Sequence, residues 1–144
     1  MKRSVLSTLL LAGATYYALV TPTFAHQSSQ IDFASADTPA EIKGVIKAVF
    51  GENAGIMLEI ARCESGFRQF DEHGNVLQGE IDPRDTGVYQ FNTHWHEATS
   101  KALGYNLRTL EGNVLYAKRV ALKKKGRRVV VETVLWNNSS DCWG

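Results

Sequence analysis

A mainly helical α+β domain with one core and one disulfide is the fold class this sequence predicts, and three observations predict it. Apolar residues recur at helical spacing in four separate stretches, and a segment rich in glycine and aspartate interrupts them in the middle of the chain. Two cysteines lie far apart behind what reads as an export leader. A length of 144 residues suits one such domain.

The leader comes first. Met1-Lys2-Arg3 precedes an apolar run from Val5 to Val20, and Thr21-Pro22-Thr23-Phe24-Ala25 follows. A short positive end, an apolar middle and a small-x-Ala ending form the secretory signal pattern, so residues 1–25 are expected to be a signal peptide. The alternative is an uncleaved membrane anchor, for which the run is near the lower length limit. Cleavage after Ala25 leaves residues 26–144 with no stable membrane insertion, and losing Lys2 and Arg3 takes the formal charge from +1 to −1. The expected location is secreted, periplasmic or at the cell envelope.

Export bears on Cys63 and Cys142, because disulfides persist in oxidising compartments. A bridge between them closes a loop of about 80 residues and is worth roughly 4 kcal/mol in the chain-entropy model. Two free thiols or a metal site are the competing readings. His94 and His96 stand two apart on a predicted helix and face different sides, which makes a poor metal set. No metal or organic cofactor is implied.

Residues 26–37 are polar and aperiodic and are expected to be a flexible lead-in, with the ordered domain occupying residues 38–144. Thr38 suits an N-cap and Pro39 the first helical position, and Ile42, Val45, Ile46 and Val49 recur at helical spacing before Gly51. A second helix is expected over 53–64, with Ile56, Ile60 and Cys63 on one face, and Ser65-Gly66 stops it. From Phe67 to Asn92 the chain carries Gly74, Gly79, Pro83 and Gly87 and reads as loop, with a small hairpin about His73-Gly74-Asn75; the alternative for 87–92 is a short strand with Val88 in the core. Helical patterning resumes over 93–103. It returns near Leu110, where Val114, Ala117, Ala121 and Leu122 form a stripe running towards Gly126. Val129-Val130-Val131 favours strand by propensity, but the helical context weighs towards a short buried helix.

Glu64 is the residue with chemistry to offer. On its own it reads as a solvated acid at a helix carboxyl end, where negative charge is mildly unfavourable. Beside a bridged cysteine and facing Phe67, Phe70 and Tyr89, it acquires the setting of a proton donor. Raising a glutamic acid from about 4.3 to about 6–7 takes roughly 3–4 kcal/mol of desolvation or like-charge bias.

The order of motifs changes the reading. Ala61-Arg62-Cys63-Glu64-Ser65-Gly66-Phe67, then Gly87-Val88-Tyr89-Gln90-Phe91-Asn92, then Asn113, together resemble the soluble lytic transglycosylases of the lysozyme-like superfamily. The ending Trp136-x-x-Ser139-x-x-Cys142-Trp143 resembles short secreted bacterial members, and a Cys-Glu pair with a carboxyl-terminal cysteine is also similar to resuscitation-promoting factors. The resemblance covers roughly residues 46–143. It implies a lysozyme-like α+β fold with a helical core, a long central loop or small hairpin and one disulfide. The implied activity is cleavage of peptidoglycan glycan strands between N-acetylmuramic acid and N-acetylglucosamine, with formation of a 1,6-anhydro ring. Glu64 matches the catalytic acid that later serves as base, so one carboxylate suffices. Ser65, Tyr89, Gln90, Asn113 and Tyr116 then fall at or beside the sugar cleft, and Trp95 is the implied sugar platform. Trp143 is read as structural, beside the disulfide.

This chain departs from the pattern at Val120, where many transglycosylases carry a tyrosine against the acid, and Tyr116 either substitutes or belongs to the core. The string from Asp85 to Trp95 is also similar to the Asp-x-Gly-x-x-Gln-x-Asn-x-x-Trp element of animal-type lysozymes, which makes Asp85 a possible second carboxylate for a hydrolytic muramidase. The competing reading, placed ahead, is a turn residue in Asp82-Pro83-Arg84-Asp85. Lys118, Arg119, Lys123, Lys124, Lys125, Arg127 and Arg128 read as a solvated face of the last long helix and its exit, able to attract anionic wall polymers or phospholipid headgroups. Without interleaved aromatics, and behind an export leader, they do not point to nucleic acid. Two other classes stay open, a non-catalytic wall-binding module and a small structural protein. A monomer is expected.

Overall fold

The computed structural model describes residues 31–144, so the expected signal peptide over 1–25 and the start of the expected lead-in lie outside the described residues. Helix α1 spans Pro39–Phe50 and begins as its sequence dictates. The Thr38 hydroxyl accepts from Glu41 N–H at 3.3 Å, and the Glu41 carboxylate accepts from Thr38 N–H at 3.0 Å. That reciprocal capping box satisfies amides that the helix itself leaves unpaired, and Pro39 gives up none that mattered. Ile42, Val45, Ile46, Val49 and Phe50 form the buried face. Each fully buried isoleucine contributes about 1.5–3 kcal/mol of transfer free energy.

One 3-10 turn over Gly51–Asn53 leads into α2, Ala54–Ser65. Its core face is Ala54, Met57, Ile60 and Ala61, rotated from the expected stripe of Ile56, Ile60 and Cys63. Met57 is a fourth apolar position next to Ile56 and fills the core in its place. Cys63 is thereby left on the flank, where it can reach the carboxyl-terminal tail. Gly66 ends the helix in the left-handed region at φ 62, ψ 33, with its N–H returned to the carbonyls of Ala61 and Arg62.

The central loop folds as small paired pieces. Phe70 bridges to Val76 around Gly74, which is the expected hairpin, and Gln78 bridges to Thr86. Strands β1, Asp85–Thr86, and β2, Phe91–Asn92, pair antiparallel with Asp85 opposite Asn92. The alternative of a strand over 87–92 gives way to a tight turn: Gly87 at φ 72 and Gln90 at φ 48 leave the extended region, so only Phe91 and Asn92 pair. Val88 is buried as anticipated.

Helices α3, Thr93–Ala102, and α4, Leu110–Ala121, follow. The stripe expected to carry α4 towards Gly126 stops at Ala121, and Leu122 turns extended at ψ 116. Strands β3, Leu122–Lys125, and β4, Arg128–Val131, then form an antiparallel hairpin with Lys125 opposite Arg128 across Gly126-Arg127. The expected buried helix at Val129–Val131 is thus corrected. Strand propensity of the valine run, together with a two-residue turn opened by glycine, outweighs the helical context. Lys123, Lys124, Lys125, Arg127 and Arg128 accordingly sit on this hairpin, and only Lys118 and Arg119 of the basic cluster belong to a helix.

A 3-10 stretch over Val134–Ser139 and the short α5, Ser140–Trp143, bring the tail back against α2. There Cys142 is bridged to Cys63 with their Cα atoms 6.0 Å apart. The lead-in also departs from expectation. Ala36 is buried and Ile31 and Phe33 pack on the core, because three apolar side chains among the polar ones reach α1 and its neighbours. The result is a helical α+β fold with one disulfide. Among the described residues no helix is long and apolar enough to cross a membrane.

Candidate active site

Glu64 occupies the last turn of α2 and lines an open, largely polar cleft of about 480 Å³. Across the cleft from this helix end stand Gly79, Asp85 and Gln90, all delivered by the central loop. The carboxylate is half-buried, and its pKa is raised. Desolvation is the largest cause, the hydroxyl of Ser139 opposes it by hydrogen bonding to Glu64 Oε1, and the negative charge of Asp85 adds a smaller upward push. A carboxyl group biased towards its protonated form and open to a polar cleft is equipped to donate a proton.

Asp85 corrects the expected turn role. Within the Asp82-Pro83-Arg84-Asp85 turn it is Asp82 that accepts from Arg84 N–H at 2.9 Å and is held low by the Arg84 guanidinium. The Asp85 carboxylate accepts from the Asn92 amide at 2.8 Å and faces the cleft. Asn92 also donates to Asp82 at 3.0 Å and caps α3 through His94 N–H, so one side chain ties the turn, the strand pair and the next helix together.

Gln90 reaches the cleft from a left-handed backbone position, its amide nitrogen donating to Gly87 O at 2.8 Å. Two fully buried amides support the turn that carries it. Gln69 Oε1 accepts from Val88 N–H at 3.1 Å, and Asn113 Oδ1 accepts from Tyr89 N–H at 3.0 Å. Asn113 Nδ2 donates to Thr86 O and Leu107 O, each at 3.0 Å. These amides press so close that a Cβ on Gly87 would meet both within 2.5 Å. Asn113 is therefore a buttress beneath the cleft and not the sugar contact expected of it. Asn113→Ala orphans one buried N–H and removes a donor from two carbonyls, so it is expected to lower unfolding free energy by about 3 kcal/mol, read by urea denaturation.

Of the four other expected contacts, three do not line the cleft. Tyr89 is fully buried against Phe50, Phe91 and Trp136, with its hydroxyl donating to Met57 O at 3.2 Å, because residues 88 and 89 of the tight turn both point inward. Tyr116 is core, resolving the open alternative, and its hydroxyl lies 3.1 Å from His96 Nδ1. Trp95 is 72% exposed at the start of α3, stacked edge-on with His94, and does not line the cleft with Glu64. Ser65 borders the cleft, but its hydroxyl donates to Ala61 O and accepts from Arg68 N–H, which makes it a helix-end cap.

None of the family models, curated proteins or solved structures compared with this chain matches it.

Ser139 is the site residue that sequence reasoning passed over. It lies 75 positions from Glu64, and its only signal was its place in the Trp136-x-x-Ser139-x-x-Cys142-Trp143 ending. The fold delivers it through Trp136, which is buried and donates to Tyr89 O at 2.9 Å, and through the disulfide three residues further on. Trp143 supports the same corner, donating from its indole to Ser139 Oγ at 3.0 Å. Among the described residues no three His, Cys, Asp or Glu side chains converge to hold a metal ion.

Proposed function

We propose that this chain is an exported glycosidase that cleaves the β-1,4 bond between N-acetylmuramic acid and N-acetylglucosamine in peptidoglycan, with Glu64 as its catalytic acid and then its base. The observation that carries the reading is the half-buried Glu64 carboxyl, biased towards protonation and lining an open cleft with Gln90. The resemblance supports it, because Glu64-Ser65, Gly87 to Gln90 and Asn113 occur in that order behind a stretch with the secretory signal pattern. Glu64 gives its proton to the leaving oxygen as the glycosidic bond breaks. The muramic acid 6-hydroxyl oxygen then closes on C1, and its proton returns to Glu64, so the enzyme ends as it began and no water is consumed.

The resemblance implies a single acting carboxylate and the anhydro product, which makes that the first reading. Asp85 nevertheless lines the same cleft, and this favours retaining hydrolysis as the second reading. Digestion of purified sacculi followed by mass spectrometry tests both. Anhydro muropeptides, lighter by one water than hydrolysis products, are expected. Reducing-end muropeptides transfer the assignment to the hydrolytic reading, and no release overturns both.

A further inference from the structure

We propose that Ser139 is the positioning residue that fixes which oxygen of Glu64 carries the transferable proton, an inference that rests on Glu64 being the acid. A hydroxyl has one hydrogen to give and two lone pairs to receive. The indole N–H of Trp143, a donor that cannot accept, points at Ser139 Oγ from 3.0 Å and takes up one lone pair. The Ser139 hydrogen then has two candidate acceptors, the Trp136 carbonyl at 3.0 Å and Glu64 Oε1. The Trp136 carbonyl already receives the shared Trp143 N–H at 3.2 Å, whereas Glu64 Oε1 has no other donor among the described residues and, when ionised, is the stronger acceptor of the two. The hydroxyl accordingly donates to Oε1.

The other oxygen, Oε2, has no hydrogen-bond partner among the described residues. Since no described side-chain oxygen or nitrogen is both buried and unpaired, Oε2 stands open to solvent in the cleft that Glu64 lines. With Oε1 held as an acceptor in both protonation states, the proton resides on Oε2. That is the oxygen able to give it to a leaving group and take one back. Donation to the ionised carboxylate is the stronger of the two states of this bond, which is why Ser139 opposes the upward shift of Glu64. The hydroxyl is held in place by Trp143, by the disulfide at Cys142, and by Arg62 Nη2, which donates to Cys142 O at 3.0 Å.

The test follows the Glu64 carboxyl by carbon-13 NMR titration, which needs no substrate, and the pH profile of muropeptide release alongside it. In Ser139→Ala the Glu64 titration is expected to move up, the high-pH limb of activity to move up with it, and kcat to fall about tenfold at unchanged KM. Ser139→Thr, which keeps the hydroxyl, restores both. Should the alanine variant not fold, Ser139→Cys, of similar volume and weaker as a donor, must show the same upward shift at smaller size. A titration unmoved in the folded alanine or cysteine variant overturns the proposal, as does a rate lost with no movement of the limb, the mark of a merely structural role. A wild-type protein that releases nothing from sacculi overturns the function alone, while the titration still reads the Ser139 contact.

Discussion

Glu64→Gln is expected to reduce muropeptide release by about 10²–10⁴-fold while the protein stays folded, because the substitution keeps shape and removes the transferable proton. The amide still offers an oxygen to Ser139, so the corner built by Ser139 and Trp143 has no reason to open. Stability gives the independent check, and its sign is fixed by the direction of the pKa shift. Glu64 titrates higher folded than unfolded, so the folded state holds the proton more tightly than the unfolded state does. Whatever stability this group contributes is present below its unfolded pKa and is lost as pH rises through its folded value. Above that window wild type carries a partly buried negative charge that the glutamine variant lacks. In that range the unfolding free energy should therefore be equal or higher in Glu64→Gln, measured by urea denaturation across a pH series. A variant that is both inactive and clearly less stable would attribute the loss to folding and not to chemistry.

That separation of activity from stability explains which parts of the molecule the sequence discloses. Helix α1 is legible almost to the residue, because Thr38, Pro39 and Glu41 act on their own neighbours and the apolar period does the rest. Glu64 and Gln90 are legible as motif positions and do meet in one cleft. The misreadings share a cause. Tyr89 looks like a cleft residue because it precedes Gln90, yet a turn with Gly87 and Gln90 at positive φ sends it inward, and alternation rules for strands fail there. Asp85 looks like a turn residue because it stands in a turn sequence, but Asp82 already receives the turn's amide and frees Asp85 for the cleft. The hairpin of β3 and β4 is missed because a valine run at the end of a helical stripe supports two periods equally well, and the pairing partner that decides is four lysine-rich residues upstream. Ser139 is the extreme case: its place in the carboxyl-terminal motif gives no hint of Glu64, 75 positions away, which it meets only once Trp136 and the Cys63–Cys142 disulfide hold the tail on α2.

Removing the disulfide is the stronger test of that last relation, and it predicts a shift opposite to that of Ser139→Ala. Replacing Cys63 and Cys142 together with serine releases a cross-link spanning 79 positions and is expected to cost about 4 kcal/mol of unfolding free energy. The tail should not detach as a whole. Trp136 is buried and hydrogen-bonded to Tyr89 O, so the chain stays anchored up to that residue and loosens beyond it, where Ser139 and Trp143 lie. Two effects on Glu64 then compete. Losing the Ser139 hydrogen bond raises its pKa, while uncovering the carboxylate to water removes desolvation, the larger cause of its upward bias, and lowers it. If the tail is the main cover of the carboxylate, uncovering outweighs the lost hydrogen bond, and the high-pH limb of activity moves down in the disulfide-free protein while it moves up in Ser139→Ala. Dithiothreitol treatment of the wild type should reproduce the downward movement, with reversal on reoxidation. Movement in the same direction for both variants would mean that the tail does not shield Glu64, and that its desolvation comes from α2 and the central loop alone.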